Sequence, residues 1–177
     1  MFSALRLQPD RVATLSDLPS LLRRRLIQAS GAFFLVHEVA LAQLSGVAPA
    51  KAERLALSTF LDVLLPRDAH SGSATDLRVD QALWAFSRDD ARFRQLLVQG
   101  SRWLNMTGGA GFADLTAAQQ VQVVQWMSTA DWNELPRRFY ELVRQTAVET
   151  YYSDPRAWTG TGLQRPPQPV GYPPPWQ

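Results

Sequence analysis

The sequence predicts an all-α protein, in which a compact domain of about five helices lies between a signal-like N-terminal helix and an extended C-terminal arm rich in proline and aromatic residues. Apolar residues recur at helical spacing through residues 50–152, and no segment there alternates convincingly as a strand would. Seven of the twelve prolines fall in residues 153–177. We therefore divide the chain into an N-terminal segment (1–49), a helical domain (50–152) and an arm (153–177).

Composition excludes several classes of chemistry. The 177-residue chain has no cysteine, so it has no disulfide, thiolate nucleophile, iron–sulfur cluster or thioether-linked haem. Only His37 and His70 are available as imidazole ligands, too few for a multi-histidine metal site. A net charge of +2 gives no indication of a surface that follows phosphates, so nucleic-acid binding is not expected. We predict no catalytic, cofactor-binding or metal site in this chain.

The first 49 residues have the order of an export signal. Arg23 and Arg24 precede a mildly apolar run over residues 26–44 that contains small residues near its end. Paired arginines in this position are typical of the twin-arginine export route, so these two are the predicted targeting residues. His37 and Glu38 interrupt the run, which leaves two alternatives open: a retained amphipathic helix or a membrane anchor.

Five helices are predicted from residue 50 onward, four of them from apolar side chains that share one face. The apolar positions are Leu57, Phe60, Leu61 and Leu64 in the first, Val79, Leu83 and Phe86 in the second, Phe93, Leu96, Leu97, Trp103 and Leu104 in the third, and Leu135, Phe139, Leu142, Val143, Ala147 and Tyr151 in the fifth; the fourth ends near Thr129. Trp103, Trp126 and Trp132 are assigned to core or inter-helix packing.

Local signals fix the helix ends and one helix contact. Pro66 ends the first helix, and Pro136 is tolerated in the first turn of the fifth. Thr116 followed by Gln119 predicts a capping box at the start of the fourth helix. Gly100, on the apolar side of the third helix, predicts a close helix crossing.

Two groups of residues are candidates for function. Asp62, Asp68 and His70 lie within nine residues and form a conceivable acid–base set, although a helix ended by proline and followed by a polar loop explains them equally well. The arm combines prolines with Trp158, Tyr172 and Trp176. Aromatic residues are enriched where proteins dock, and prolines reduce the entropy lost on docking. A partner-binding arm is therefore preferred over a loose tail packed on its own domain.

The end of the chain carries a family resemblance. The run Thr150-Tyr151-Tyr152-Ser153-Asp154-Pro155, continued through Trp158 to Gln168-Pro169-Val170-Gly171-Tyr172, resembles the end of subunit 3 of the gluconate 2-dehydrogenase family. Two further elements agree, Asp62-Val63-Leu64-Leu65-Pro66-Arg67-Asp68 at the end of the first helix and Phe139-Tyr140-Glu141-Leu142 in the last helix. The resemblance covers roughly residues 55–172. At Ser71-Gly72-Ser73-Ala74 the chain departs from the Pro-Gly-Ala segment more typical of the family.

The resemblance implies that the chain is the small subunit of a three-part dehydrogenase complex. The large subunit is a flavoprotein of the glucose–methanol–choline class that holds FAD, and a multihaem cytochrome c carries haem c. The small subunit supports folding, stability and twin-arginine export of the large subunit to the periplasm, with membrane association only through the complex. The alternative from a different class is a cytoplasmic helical binding or chaperone-like protein without export.

The arm residues matched to this pattern are the predicted contacts to the large subunit. They are Tyr152, Asp154, Pro155, Trp158, Pro169, Gly171, Tyr172 and Trp176. Tyr151 continues the apolar stripe of the last helix, so it is predicted to be buried within the domain. Asp154 is predicted to cap the turn that Pro155 begins, with Arg156 free to reach a carboxylate.

Overall fold

A computed structural model describes residues 49–107 and 111–163, and within them the chain is entirely helical. The α-helices are α1 (Lys51–Leu64), α2 (Val79–Phe86), α3 (Ala91–Thr107), α4 (Ala117–Thr129) and α5 (Leu135–Ser153), and two 3-10 helices span Phe112–Asp114 and Pro155–Trp158. The described residues contain no strand, which confirms the predicted class. Among these helices, none combines the length and apolar character needed to cross a bilayer.

Helix α5 lies at the centre of the packing, because it contacts each of the other four α-helices. Phe139, Val143, Ala147 and Tyr151 follow one another at intervals of four residues along α5, and all four are buried. Such a row presents a continuous apolar stripe to its neighbours. The stripe runs from the second turn of α5 to its last, so the core fixes the position of that last turn.

The close helix crossing predicted at Gly100 is confirmed. A β-carbon placed on Gly100 would lie 1.9 Å from Cδ2 of Phe139. Phe139 is fully buried, and its ring centroid lies 5.1 Å from that of Phe60. Helix α3 therefore approaches α5 at a distance that only glycine permits.

Two polar clusters hold helix starts in place. The predicted capping box of α4 is present: the backbone N–H of Thr116 donates to Oε1 of Gln119 at 3.0 Å, and the N–H of Gln119 donates to Oγ1 of Thr116 at 3.4 Å. At the start of α1, buried Glu53 accepts from the backbone N–H of Ala50 at 2.9 Å and from Nε of Arg102 at 2.6 Å. This second cluster ties the start of α1 to α3.

Three predicted packing residues are instead exposed. Phe86 is 51% exposed at the open end of α2, next to the exposed turn at residues 88–90. Leu142 is 50% exposed because it lies one position off the buried row of α5. Trp132 is 60% exposed in the turn before α5, where the Arg137 guanidinium carbon lies 5.6 Å from its ring centroid. Apolar periodicity identified the helices correctly, but it assigned too many residues to the buried core.

Candidate functional site

The candidate site is the surface where the loop after α1 meets the end of α5. We call it the loop–tail junction and define it as residues 66–78 together with residues 151–163. It brings together the loop that begins at Pro66 and the start of the predicted arm, which are far apart in the sequence. Each half of the junction is held by its own hydrogen bonds, and two contacts join the halves.

The carboxylates proposed for acid–base chemistry serve to shape the loop. Asp62 accepts from the backbone N–H of Thr75 at 2.9 Å and from its hydroxyl at 2.7 Å. Asp68 accepts at a single oxygen, Oδ1, from the backbone N–H of His70 at 2.7 Å and from that of Ser71 at 2.6 Å. Both carboxylates are therefore engaged by backbone donors of the loop and do not converge on a shared reaction site.

The charges of the loop are stabilised by the same contacts. The backbone N–H groups of His70 and Ser71 lower the pKa of the Asp68 carboxyl. The pKa of the Asp76 carboxyl is lowered by the backbone N–H of Ser73 and by the Arg67 guanidinium, whose Nη2 lies 2.7 Å from Oδ2 of Asp76. In residues 49–107 and 111–163, no three His, Cys, Asp or Glu side chains are grouped so that they could hold a metal ion.

Two contacts join the loop to the tail. The hydroxyl of Tyr151 donates to the backbone carbonyl of Gly72 at 2.7 Å, across a separation of 79 residues. Beyond the helix, a β-carbon on Gly160 would lie 2.8 Å from Cβ of His70, so the two backbones approach closely. Tyr151 is buried, as predicted. Its role is to set the position of the loop relative to α5.

We expect Tyr151→Phe to lower the free energy of unfolding by about 1 to 2 kcal/mol. The substitution removes the hydroxyl that donates a hydrogen bond to the Gly72 carbonyl and keeps the buried ring. Urea denaturation of the full chain measures the change. Tyr152→Phe is the matched control, since Tyr152 is exposed, and it should change stability by less than about 0.5 kcal/mol. Equal stability of the two variants would contradict the tie between α5 and the loop.

The first residues of the arm form a helical turn, which corrects the expectation that the arm is extended from residue 153 onward. Pro155 begins the 3-10 helix Pro155–Trp158, and the side chain of Asp154 caps it by accepting from the N–H of Arg156 at 2.9 Å. Proline suits this position because its missing N–H is not needed in a first turn. The prediction that Asp154 caps the turn is confirmed.

Arg156 was predicted to be free to reach a carboxylate, and in the structure it pairs with that of Asp154 in the same turn. Its Nη2 lies 2.6 Å from Oδ2 of Asp154. Hydrogen bonds from the Arg156 side chain and backbone lower the pKa of the Asp154 carboxyl. The pair closes the turn over a two-residue separation and keeps both groups charged.

Two of the predicted contact residues form an ordered aromatic pair at the surface. Nε1 of Trp158 donates to the carbonyl of Tyr152 at 2.8 Å, and Trp158 packs against the core while remaining partly exposed. The Tyr152 ring is 48% exposed and meets the Tyr151 ring edge-on at a centroid distance of 5.1 Å. Leu163, later in the same segment, is also 49% exposed.

The remaining predicted functional residues lie outside the described residues. These are Arg23 and Arg24 of the N-terminal segment and Pro169, Gly171, Tyr172 and Trp176 of the arm. The structure therefore places Tyr152, Asp154, Pro155 and Trp158 together at the loop–tail junction. Sequence reasoning missed the contribution of the loop itself, since no local pattern announces a hydrogen bond between Tyr151 and Gly72. Gly160 was the available signal for a close backbone approach.

The fold and the junction define a class of protein: a small all-helical domain with an ordered, partly exposed aromatic surface of the kind that proteins use to contact one another. The family model described as gluconate 2-dehydrogenase subunit 3 matches residues 51–172, and the chain belongs to this family. The match includes all five α-helices and both halves of the loop–tail junction. The comparisons with curated proteins and with solved structures gave no match.

Proposed function

We propose that this chain is the non-catalytic small subunit of a flavin-dependent dehydrogenase complex of the glucose–methanol–choline type. In this role it supports the folding, stability and export of the large catalytic subunit. The observation that carries the proposal is the family match over residues 51–172, since the family takes its name from one subunit of a dehydrogenase. Under this proposal FAD belongs to the large subunit, and haem c to a cytochrome c subunit that passes electrons on.

The loop–tail junction is the proposed contact to the large subunit. An exposed aromatic side chain binds a partner well when its conformation is set beforehand, because little entropy is then lost on docking. Tyr152 meets this condition, since its ring packs against Tyr151 and its carbonyl accepts from Trp158. Arg156 and Asp154 stabilise the turn that presents the two aromatic residues. The rest of the proposed contact is supplied by Pro169, Gly171, Tyr172 and Trp176, which lie beyond the described residues.

The proposal is tested by purifying the tagged chain from its native host. We expect a flavoprotein, with its yellow absorption, to be recovered with the chain. Tyr152→Ala should reduce the recovered flavin by about tenfold or more, because aromatic side chains at the centre of an interface often contribute 2 kcal/mol or more to binding. A colourless monomer would overturn the proposal.

Leu55→Ala is the matched control for Tyr152→Ala. Leu55 is exposed to a similar extent, 52%, but lies in the first half of α1, outside the junction. Its replacement should leave flavin recovery unchanged. If Tyr152→Ala also leaves it unchanged, or if the two variants reduce it equally, the junction is not the contact.

Export to the periplasm is the second part of the proposal. It attributes a twin-arginine signal to the segment containing Arg23 and Arg24, with the large subunit carried as a passenger. N-terminal sequencing of the protein from fractionated cells tests it. A periplasmic chain that starts near Gln43 agrees with cleavage of a signal. An intact Met1 in the cytoplasmic fraction would favour a helical binding or chaperone-like protein without export.

A further inference from the structure

A second site lies away from the loop–tail junction, in a pocket of about 550 Å³ beside α2. Its walls come from the start of α1, from α2 and from the start of α3. The lining side chains that matter for its chemistry are Arg54, Asp80, Trp84, Arg88 and Arg94. A volume in this range accommodates a small organic molecule or a few side chains of a partner.

The pocket carries an excess of positive charge. Three guanidinium groups line it against one carboxyl group, Asp80. The Arg54 guanidinium carbon lies 5.8 Å from the Trp84 ring centroid. Within the part of the chain that the structure describes, neither Arg54 nor Arg88 forms an ion pair, and both are exposed. Such guanidinium groups are well suited to bind a planar anion that accepts two parallel hydrogen bonds.

Two polar atoms of the lining side chains lack partners as well. Trp84 is only 6% exposed, yet its indole Nε1 has no hydrogen-bond partner, and the same is true of Oδ1 of Asp80. Buried polar atoms are normally satisfied, and these two lie within the wall of the pocket with almost no accessible surface, so the exposed guanidinium groups are the ones that a ligand would contact. Burial also raises the pKa of the Asp80 carboxyl.

We propose that this pocket binds a carboxylate group. The arginines supply the charge and the paired donors, and the Trp84 side chain forms the wall against which the group lies. The carboxylate comes either from a free small molecule or from an acidic side chain of the large subunit. The second source rests on the proposed function, whereas the first does not.

Binding of a free carboxylate is tested on the full chain with succinate as the probe and the indole N–H resonance of Trp84 as the readout, assigned by its loss in Trp84→Phe. We expect the Trp84 resonance to shift and saturate with succinate at constant ionic strength. Succinamide, which has the same length but no charge, should shift it far less. Equal responses to succinate and succinamide would overturn the assignment of a carboxylate site.

Two substitutions should change the affinity for succinate in opposite directions. Arg88→Gln removes a guanidinium and should weaken succinate binding by about threefold to fivefold, the range expected for a partly exposed ion pair. Asp80→Asn keeps the shape of the side chain but removes its charge, so it should tighten binding by a similar factor. Affinity that does not differ between these two variants would contradict the proposed electrostatics.

The same variants distinguish the two sources of the carboxylate. If succinate does not bind but Arg88→Gln reduces recovery of the flavoprotein and Asp80→Asn increases it, the carboxylate belongs to the large subunit. If succinate produces no shift and both variants recover the flavoprotein as the unmodified chain does, the proposal is wrong. Failure of the proposed function is distinct, because the unmodified chain would then recover no flavoprotein at all.

Discussion

Gly100→Ala is expected to lower the free energy of unfolding by about 2 kcal/mol. The added methyl group would lie 1.9 Å from Cδ2 of Phe139, far inside the contact distance of two carbon atoms. Phe139 is fully buried and packs against Phe60, so its ring cannot simply move into solvent. The clash must be relieved by separating α3 from α5 or by forcing the ring out of its preferred conformation.

Two effects of opposite sign determine the size of this change. Overpacking of a core costs about 1 to 3 kcal/mol, and a contact this short belongs at the upper end. Replacing glycine by alanine inside a helix contributes about 1 kcal/mol in the favourable direction. Steric strain therefore outweighs helix propensity. Urea denaturation followed by circular dichroism measures the net change.

Ser101→Ala is the matched control for this substitution. Ser101 is the adjacent residue of α3 and is fully buried, and its hydroxyl oxygen has no hydrogen-bond partner. Removing a buried, unsatisfied hydroxyl should leave stability unchanged or raise it slightly. A Gly100→Ala variant as stable as Ser101→Ala would mean that α3 and α5 do not approach as closely as described.

Deleting residues 164–177 is expected to reduce recovery of the large subunit by at least about tenfold while leaving the helical domain folded. The deletion removes the four predicted contacts Pro169, Gly171, Tyr172 and Trp176 and retains the loop–tail junction. Flavin absorbance of the material recovered with the tagged chain measures binding. Thermal unfolding measures whether the domain remains intact.

The position of the deletion matters because the first part of the arm belongs to the domain. A deletion after Pro155 would also remove Ala157, which is buried, and Trp158, which packs against the core. It should therefore destabilise the domain, and loss of binding would then have two explanations. If the chain ending at Leu163 recovers as much flavoprotein as the full chain, the distal arm does not bind the large subunit.

Much of this fold can be predicted from the sequence because its signals are local. The capping box at Thr116 depends on a side chain three residues away, and the buried row of α5 repeats every four residues. Gly100 stands on the apolar side of its helix, where a glycine has little reason to be unless another element approaches closely. Each of these predictions depends on the chemistry of a single helix.

The parts that could not be predicted depend on contacts between distant segments. Trp132 is a large aromatic residue of the kind often found in a core, but it lies in a turn and is 60% exposed. Tyr151 was correctly placed in the core, yet its partner, the carbonyl of Gly72, is 79 residues away. The arginine-lined pocket likewise combines residues from three helices. Such arrangements follow from the packing of the helices, which no local pattern encodes.

The candidate site was partly predictable for the same reason. The Asp154–Pro155 turn is a local signal, and the structure confirms the cap that it predicts. The acid–base hypothesis for Asp62, Asp68 and His70 was based on their proximity in the sequence. The structure does not support this hypothesis, because both carboxylates accept hydrogen bonds from backbone N–H groups of the loop. Spacing in the sequence does not distinguish carboxylates that shape a loop from carboxylates that act in catalysis.

The proposed support of a flavin-dependent large subunit is tested by producing that subunit with and without this chain and measuring the amount of FAD-loaded large subunit in the periplasm. We expect this amount to fall severalfold when the chain is absent and to be restored when the chain is supplied from a plasmid. An undiminished amount of exported, FAD-loaded large subunit in the absence of the chain would show that the chain does not have this role.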